Sequence, residues 1–302
     1  MEECLLAAGG DAMSYCCPSC KGALNGTPVK FRCESCRCDY PVVNGIPDFY
    51  VEDPKHDFGS DANVIWLEPD IVEARDMYYE LSIRELKGMD FCMRELGRIT
   101  DDCSTVLEVG MGTGHFSRWL SEACSSGTEI FSYDFSWPII EYAVAKTMGL
   151  KNVNLFRANT RSVLPFPHEF FDVVFCRLAP LGPSGVPNVQ YGFSLLKPGG
   201  WYIEAGWNTE SFETPPTAWA YENGYDYAEN HEWIYTREIS REEADAMQTE
   251  HKRMSQIRKH GRPGWPITEV EAASDGNPQG EKKYLKTTEE NLLMARKPCG
   301  VP

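Results

Sequence analysis

Between residues 105 and 205, short apolar segments alternate with segments of helical pattern, and this alternation limits the fold more than any other feature of the chain. The segment at 171–176 is apolar throughout after its aspartate, as a buried parallel strand should be. The pattern predicts an α/β fold with a doubly wound, mostly parallel sheet. Strands are predicted at 105–109, 130–134, 153–157, 171–176 and 201–205, and helices at 115–124, 137–148 and 189–196.

A glycine-dense turn follows the first predicted strand. Gly110, Gly112 and Gly114 let the backbone turn sharply and let a ligand approach main-chain N–H groups. The spacing G-x-G-x-G differs from the G-x-G-x-x-G of pyrophosphate-binding turns, and Glu108 just before it would repel a phosphate. The turn therefore suits a cationic or zwitterionic ligand. Asp134, at the end of the next strand, can accept both hydroxyls of a ribose.

Four motifs in this order resemble the class I S-adenosylmethionine-dependent methyltransferases. They are the acid and glycines of 108–114, Asp134, the strand from Phe171, and the Leu-Lys-Pro-Gly-Gly of 196–200. The resemblance covers about residues 70–205, and 291–297 looks like the family's last strand. It implies a seven-stranded, Rossmann-like methyltransferase fold and S-adenosylmethionine as the cofactor.

The resemblance also implies a set of cofactor-binding residues. The glycine turn would hold the methionine part, residues 134–135 the ribose and adenine, and residues 159–160 the adenine edge, while residues 176–177 would face the sulfonium and the acceptor. Many family members carry Gly-Asp-Ala where this chain has Arg-Ala-Asn at 157–159, and an asparagine can still accept through its carbonyl oxygen. Cys176 also fits a small buried residue. The implied set is Glu108, Gly110, Met111, Gly112, Gly114, Asp134, Phe135, Asn159, Thr160, Cys176 and Arg177.

Two C-x2-C pairs near the amino terminus predict a structural zinc site. Twelve residues separate the pairs, and two such turns that face each other complete the tetrahedral S4 set that zinc prefers. About fifty residues cannot bury enough apolar surface unaided, so a metal would stabilise this module. Cys16 and Cys38 offer alternative spacings, but equal spacing favours Cys17, Cys20, Cys33 and Cys36.

The cysteine pairs and the following Tyr-Pro and Asn-Gly-Ile-Pro segments resemble the Trm112-like zinc ribbon over about residues 15–50. Gly22 suits the turn after the second thiolate, and Asn44-Gly45 predicts a turn between two short strands. The predicted organisation is a zinc ribbon at 1–50, a linker at 51–69, and a methyltransferase domain at 70–302. One or two helices are predicted between 70 and 99, with Gly88 as a potential break.

The segment at about 208–266 is predicted to be an insertion in the methyltransferase domain. Its first half is aromatic and acidic, a pattern that fits either an acceptor pocket or ordinary packing. Its second half starts on a capping box, Ser240 to Glu243, and is predicted to be helical to His260, where Gly261 stops it. The amine-methylating Asn/Asp-Pro-Pro-Tyr/Phe signature is absent after the fourth strand. His231, Asp226 and Arg177 are the candidate catalytic residues, the first two as general bases.

Charge bears on the acceptor of the methyl group. The chain has 29 Lys and Arg against 45 Asp and Glu, a net charge of −16 that disfavours nucleic acid. A small-molecule acceptor is therefore the leading hypothesis. The second hypothesis is a ribosomal- or transfer-RNA base methyltransferase, because the ribbon and the Ala-Pro after the fourth strand resemble the guanine-N1 enzymes of that class. A non-catalytic cofactor-binding partner is the third.

No export signal or membrane span is predicted, so a cytoplasmic location is expected, with reduced thiols. The oligomeric state stays open.

Overall fold

The computed structural model of the chain is built around a central β-sheet. Its strands, numbered in chain order after four short strands of the amino-terminal module, are β5 (Thr105–Val109), β6 (Glu129–Asp134), β7 (Val153–Arg157), β8 (Phe171–Arg177), β9 (Leu196–Ala205), β10 (Tyr227–Ile239), β11 (Glu271–Ala273) and β12 (Lys283–Arg296). Seven of these eight strands form the path β10–β12–β9–β8–β5–β6–β7, and the short β11 pairs with β12 outside that path. The four pairings from β9 to β7 are parallel, and β12 runs antiparallel to both its neighbours. The predicted doubly wound, mostly parallel seven-stranded sheet is confirmed.

The structure describes residues 15–51, 65–82, 86–101, 104–177, 179, 181–183, 186–206, 216–257, 271–273 and 283–300. Within these ranges every helix is too short or too polar to cross a membrane. A 3-10 helix spans Ile65–Leu67, and the α-helices are α1 (Pro69–Ser82), α2 (Lys87–Ile99), α3 (His115–Ala123), α4 (Trp137–Thr147), α5 (Asn188–Leu195), α6 (Pro216–Glu222) and α7 (Arg241–Ile257).

Two helices, α1 and α2, form in the region predicted to hold one or two. Gly88 lies in the first turn of α2 and does not break it. Of the expected linker at 51–69, residues 52–64 lie outside the described residues, and the rest includes the 3-10 helix and the start of α1.

The Lys-Pro-Gly-Gly segment is not a free turn, as the sequence suggested, but part of β9. The strand starts at Leu196 and contains a bulge, which is seen as a shift in its register to β8 between Phe171 and Val173. Gly199 has φ +80°, and a Cβ on Gly200 would lie 2.9 Å from the Asp172 carbonyl oxygen. The glycines thus let the bulge lie flat against β8.

The segment expected as an insertion supplies part of the central sheet. Residues 227–239 of this segment form β10, which pairs along its whole length with β12. The last strand is also longer than the predicted 291–297 and begins at Lys283. α7 starts at the predicted Ser240 cap, whose Oγ accepts the Glu243 N–H at 3.0 Å. The Glu243 side chain pairs with Arg237 instead of closing the box, and the predicted helix end at 258–261 lies outside the described residues.

Four short strands build the amino-terminal module: β1 (Leu24–Thr27), β2 (Lys30–Cys33), β3 (Asp39–Val43) and β4 (Ile46–Pro47). The predicted Asn44-Gly45 turn joins the last two, with φ +52° and +80°. The module is fused to the large sheet at the β7 edge, where Phe49 N–H donates to the Arg157 carbonyl at 2.8 Å.

Tyr15 joins the module to the central domain through aromatic contacts. Its ring centroid lies 5.0 Å from that of Phe49, 5.9 Å from those of Phe131 and Phe156, and 5.3 Å from that of Phe166. These rings belong to one buried cluster that continues under β5, β8 and β9. The module and the sheet therefore share a hydrophobic core.

The pairing of β10 with β12 extends past the carboxyl ends of the parallel strands. Ala205, the last residue of β9, is level with Leu292 and His231, so residues 232–239 and 284–291 project beyond it. We call this projection the β-arm. It holds the start of α2, because Glu290 accepts the N–H of Gly88 at 2.9 Å and of Met89 at 3.3 Å.

Replacing Glu290 with alanine is expected to destabilise the protein by about 1–2 kcal/mol, because α2 has no side-chain cap of its own and would lose this carboxylate at its first turn. Urea unfolding measures the change. Glu73, exposed on α1, is the matched control and is expected to change stability by less than about 0.5 kcal/mol. Equal effects of Glu290→Ala and Glu73→Ala would contradict a capping role.

Candidate functional site

The glycine turn links β5 to α3 at the carboxyl edge of the sheet. Gly110, Gly112 and Gly114 all have positive φ, at +66°, +55° and +88°. A Cβ on Gly110 would lie 2.5 Å from the Ala179 Cβ, and one on Gly114 would lie 2.7 Å from the Ala143 Cα. A Cβ on Gly112 would meet nothing within 4 Å in the part of the chain that the structure describes. The outer glycines thus permit close packing, while the middle one borders open space.

Asp134 ties this turn to the next strand. One carboxylate oxygen accepts the Gly112 N–H at 3.3 Å, and the other accepts the N–H groups of Phe135 at 2.8 Å and Ser136 at 3.3 Å. Burial raises the pKa of Asp134 to about 6, although these backbone N–H groups oppose the rise. The carboxylate lies beside the open space at Gly112, where a sugar hydroxyl could reach it.

The Glu108 side chain lies inside the protein and links α3 to β6 through hydrogen bonds. Its Oε2 accepts hydrogen bonds from Ser117 on α3 and from Ser132 on β6, both at 2.6 Å, and the residue is 1% exposed. Burial raises its pKa to about 7, while the two serine hydroxyls lower it and the nearby Asp134 charge adds to the rise. The resemblance placed Glu108 at the methionine end of a cofactor, and the geometry gives it this internal role as well.

The stability of the protein is expected to fall relative to a Glu108→Gln variant as the pH rises. A carboxyl whose pKa is raised from 4.5 unfolded to about 7 folded binds more protons in the native state, so its contribution to stability is lost as the pH rises through this interval. The difference in unfolding free energy is expected to shift toward the variant by about 2–3 kcal/mol between about pH 5 and about pH 8. Urea unfolding at both pH values tests this, and a constant difference would contradict the raised pKa.

The other residues of the implied set take different positions. The Met111 side chain packs in a small cluster with Ile140 and Ala143, so only its backbone faces the turn. The Asn159 amide is fully buried: its Nδ2 donates to the Val51 carbonyl at 3.1 Å, and its Oδ1 accepts the Arg161 N–H at 2.8 Å. The oxygen expected to receive an adenine amino group therefore already has one partner.

Thr160 and Phe135 frame the same edge. Thr160 is buried, and its carbonyl accepts the Gly182 N–H at 2.9 Å, which ties the loop after β7 to the loop after β8. The Phe135 carbonyl accepts Arg157 Nε at 2.8 Å. Arg157 also bonds Asp48 at 3.0 Å, so the amino-terminal module braces this edge of the site.

Cys176 and Arg177 leave β8 toward opposite faces. Cys176 is fully buried, and its Sγ donates to the Ala179 carbonyl at 2.9 Å, which fits the packing interpretation. Arg177 is half-buried on the other face and donates to the Tyr79 hydroxyl at 2.6 Å. Its guanidinium carbon lies 4.6 Å from the Phe116 ring centroid. Of the two, only Arg177 is open to a ligand.

The candidate general bases do not join the glycine turn. Asp226 comes just before β10, at the amino edge of the sheet and opposite the turn, where it pairs with Arg296 at 3.5 Å. His231 lies in β10, with its ring 4.6 Å from that of Phe91 and 5.8 Å from that of Trp233. The aromatic pattern that suggested an acceptor pocket packs here against α2.

Sequence reasoning missed the side chains of α1 that face the site. Arg75, Asp76 and Tyr79 are buried or half-buried there, and Asp76 accepts His115 Nε2 at 3.0 Å. Burial raises the pKa of Asp76, but its hydrogen bonds with His115 and with Lys146 outweigh that effect and the pKa lies below its usual value. Positions 75, 76 and 79 share one helical face, but the sequence analysis predicted only one or two helices in this region and assigned no site residue to them.

The four predicted cysteine ligands come together in the amino-terminal module. The Sγ atoms of Cys17, Cys20, Cys33 and Cys36 all lie within 4.8 Å of one another, with 3.5 Å between Cys17 and Cys36 and 3.4 Å between Cys20 and Cys33. Tetrahedral zinc with Zn–S bonds of about 2.3 Å needs Sγ separations of about 3.8 Å. The residues therefore fit a zinc ion.

The two cysteine turns have the same backbone geometry. Lys21 and Arg37, each just after a second cysteine, have φ +60° and +63°, and each donates its N–H to the carbonyl of the first cysteine of its pair. Gly22 is needed for a different reason than predicted, because a Cβ there would lie 2.6 Å from Ser35 Oγ on the opposing turn. Cys16 pairs with Ala23 in a β-bridge, and Cys38 is exposed.

Known proteins resemble the central part of the chain. Residues 106–200 match the family described as Methyltransferase domain. The demethylmenaquinone methyltransferase of Staphylococcus aureus (strain MRSA252) is 33% identical over 101 residues, which are 32% of this chain and 40% of that protein. The alignment thus spans less than half the length of this relative. The residues that match the family model include the glycine turn, Asp134 and the end of β8.

Solved structures superpose on larger parts of the chain at low identity. The YcgJ protein of Bacillus subtilis is 18% identical, with 70% of this chain and 98% of that chain covered and a TM-score of 0.49. Haemonchus contortus phosphoethanolamine N-methyltransferase 2, solved with S-adenosyl-L-methionine, is 15% identical, with coverage of 81% and 59% and a TM-score of 0.42. The strand order and register, rather than these superpositions, establish the fold.

Proposed function

We propose that the chain is an S-adenosylmethionine-dependent methyltransferase. The observation that carries this proposal is the open space over Gly112 next to the buried Asp134 carboxylate, inside the segment that matches the methyltransferase domain. The cofactor, when bound, supplies a methyl group activated by a sulfonium. Asp134 would accept the ribose hydroxyls, and the backbone of the glycine turn would hold the methionine part.

The adenine end would lie between the loops after β6 and β7, with Phe135 and residues 159–160 at its edge. These loops are held in place by Arg157 and Asn159, which bond Asp48 and the Val51 carbonyl. The protein then contributes mainly by positioning the acceptor against the methyl group, since such a displacement needs no fixed catalytic group.

We also propose that Cys17, Cys20, Cys33 and Cys36 hold a structural zinc ion. Their close Sγ atoms and the matched geometry of the two turns support this assignment. The residues around the cysteines form part of the core shared with the central sheet, so the ion would stabilise the whole protein. The proposed division is a zinc ribbon at 1–50 and a methyltransferase domain at 70–302 that shares its core with the ribbon.

A small molecule is the proposed acceptor. A ribbon that binds RNA needs free basic side chains, but three of the four among the described residues of this one are engaged. Lys21 donates to the carbonyls of Leu164 and Phe166 at 2.8 Å, and Lys30 and Arg32 both pair with Asp39. The curated relative's name, demethylmenaquinone methyltransferase, also denotes a small acceptor.

Transfer of radiolabelled methyl from S-adenosylmethionine into two cell fractions, small metabolites and total RNA, tests the proposal. Label is expected in the metabolite fraction with the wild type and not with Asp134→Asn. Label in RNA would contradict the small-molecule acceptor. Binding of the cofactor without label in either fraction would favour a non-catalytic partner.

A further inference from the structure

Two arginines converge on one tyrosine at the mouth of the proposed cofactor site. The Tyr79 hydroxyl accepts Arg75 Nη1 at 3.4 Å and Arg177 Nη1 at 2.6 Å, so these two nitrogens are at most 6.0 Å apart. Both guanidinium carbons also lie near the Tyr79 ring centroid, at 5.3 and 5.2 Å. We call Arg75 and Arg177 the arginine pair.

The arginine pair is held in place by aromatic rings. Arg75 is only 8% exposed and lies 5.1 Å from the Trp66 ring centroid, while Arg177 lies over Phe116. The two side chains come from α1 and from the end of β8, so tertiary packing brings their like charges together. Such packing costs stability unless an anion lies between or beside the charges.

Arg177 has no carboxylate partner among the described residues, where its polar contact is the neutral Tyr79 hydroxyl. Two acids of α1 that adjoin Arg75 and Tyr79 in the sequence are engaged elsewhere: Asp76 pairs with His115 and Lys146, and Glu80 pairs with Lys146. In a chain with a net charge of −16, a half-buried guanidinium without an acid is unusual.

The arginine pair lies near the glycine turn, where the methyl transfer is proposed to take place. β8 is the neighbour of β5, and Ala179, two residues after Arg177, packs against Gly110 of the glycine turn. Trp66, next to Arg75, accepts the Ser136 hydroxyl at its carbonyl at 2.5 Å, just after Asp134. The pair therefore borders both the turn and the start of α4.

We infer that the arginine pair binds an acidic group, a carboxylate or a phosphate, on the acceptor of the methyl group. This inference rests on the proposed function. Planar guanidinium groups recognise such anions through paired hydrogen bonds. A guanidinium beside a sulfonium would repel the cofactor, and an anionic acceptor bound between them would offset that repulsion.

Ligand-observed NMR with small aromatic probes tests the inference on the zinc-loaded protein with S-adenosylhomocysteine present. Benzoate and phenyl phosphate are expected to bind the wild type at least about tenfold more tightly than neutral benzamide. Arg177→Gln is expected to remove this preference, and Arg177→Lys to restore part of it. Arg118→Gln, which removes a half-buried arginine of α3 that pairs with Glu122, is the matched control and is expected to leave the preference intact.

Equal binding of benzamide and the anions by the wild type, or an unchanged preference in Arg177→Gln, would overturn the inference. A second arm compares S-adenosylhomocysteine with methylthioadenosine, which lacks the amino-acid part. If Arg177→Gln weakens only the former, the pair serves the cofactor's own carboxylate and the inference is wrong. If the wild type binds neither nucleoside, the proposed function fails instead.

Discussion

Replacing Cys33 with serine is expected to release the zinc ion and to lower the free energy of unfolding by more than about 3 kcal/mol. Cys33 is fully buried, and its Sγ lies 3.4 Å from that of Cys20 within the four-cysteine group. Without the ion, the two cysteine turns lose the tie that holds them face to face. Metal analysis and urea unfolding of the purified variant measure both effects.

The loss is expected to spread beyond the ribbon because the core is shared. Phe31 and Phe49 of the ribbon lie in the same buried cluster as Phe131 and Phe156 of the central sheet. We therefore expect one unfolding transition, shifted as a whole, rather than early loss of the ribbon alone. Chelation of the wild type should reproduce the shift.

Cys38→Ser is the matched control. Cys38 is exposed, follows the same turn and lies outside the four-cysteine group. We expect it to keep its zinc and to change stability by less than about 0.5 kcal/mol. Zinc retained by Cys33→Ser, or lost equally from Cys38→Ser, would show that the ligand set is wrong.

Gly112→Ala is expected to weaken the binding of S-adenosylhomocysteine at least about tenfold while the protein stays folded. The added methyl group meets no atom of the described residues within 4 Å, so it would occupy the space proposed for the ligand. The φ of +55° adds a strain of about 1–2 kcal/mol that acts on stability. Calorimetric titration and urea unfolding separate the two effects.

Gly149→Ala controls for the backbone strain. Gly149 follows α4, has φ +89°, and a Cβ there would also meet nothing within 4 Å. We expect Gly149→Ala to lose comparable stability but to bind S-adenosylhomocysteine like the wild type. Equal weakening in both variants would mean that strain, and not an occupied space at Gly112, explains the loss.

Local sequence signals predicted the parts of the site that lie within single elements. The strand, glycine turn and helix at 105–124 form as predicted, because the alternation of apolar residues and the glycines act over a few residues. The cysteine pairs were predictable for the same reason. The spacing within each pair determines a turn, and two turns with equal spacing can share one ion.

Contacts between distant segments were not predictable from periodicity. Nothing local to Tyr15 shows that its ring meets Phe131 and Phe166, and nothing local to α1 shows that Arg75 and Arg177 share a hydroxyl. The β10 segment was interpreted as an insertion because its aromatic and acidic residues mask a strand pattern. Its pairing with β12 depends on residues 45 to 69 positions away.

The role of Asp226 illustrates the same limit. In the sequence it lies near His231 and several aromatic residues, which suggested a pocket. The direction of β10 puts Asp226 at the amino edge, while the glycine turn lies at the carboxyl edge. Strand direction follows from the sheet topology, which a single segment does not reveal.

S-adenosylmethionine is expected to bind at the carboxyl edge of β5 and β6, and the proposed function depends on this binding. Calorimetric titration of the zinc-loaded wild type with S-adenosylhomocysteine, beside Asp134→Asn, tests it most directly. We predict roughly micromolar binding by the wild type and at least about tenfold weaker binding by the variant, whose amide offers one accepting oxygen in place of the carboxylate's two. A folded, zinc-loaded wild type that does not bind S-adenosylhomocysteine would contradict the claim.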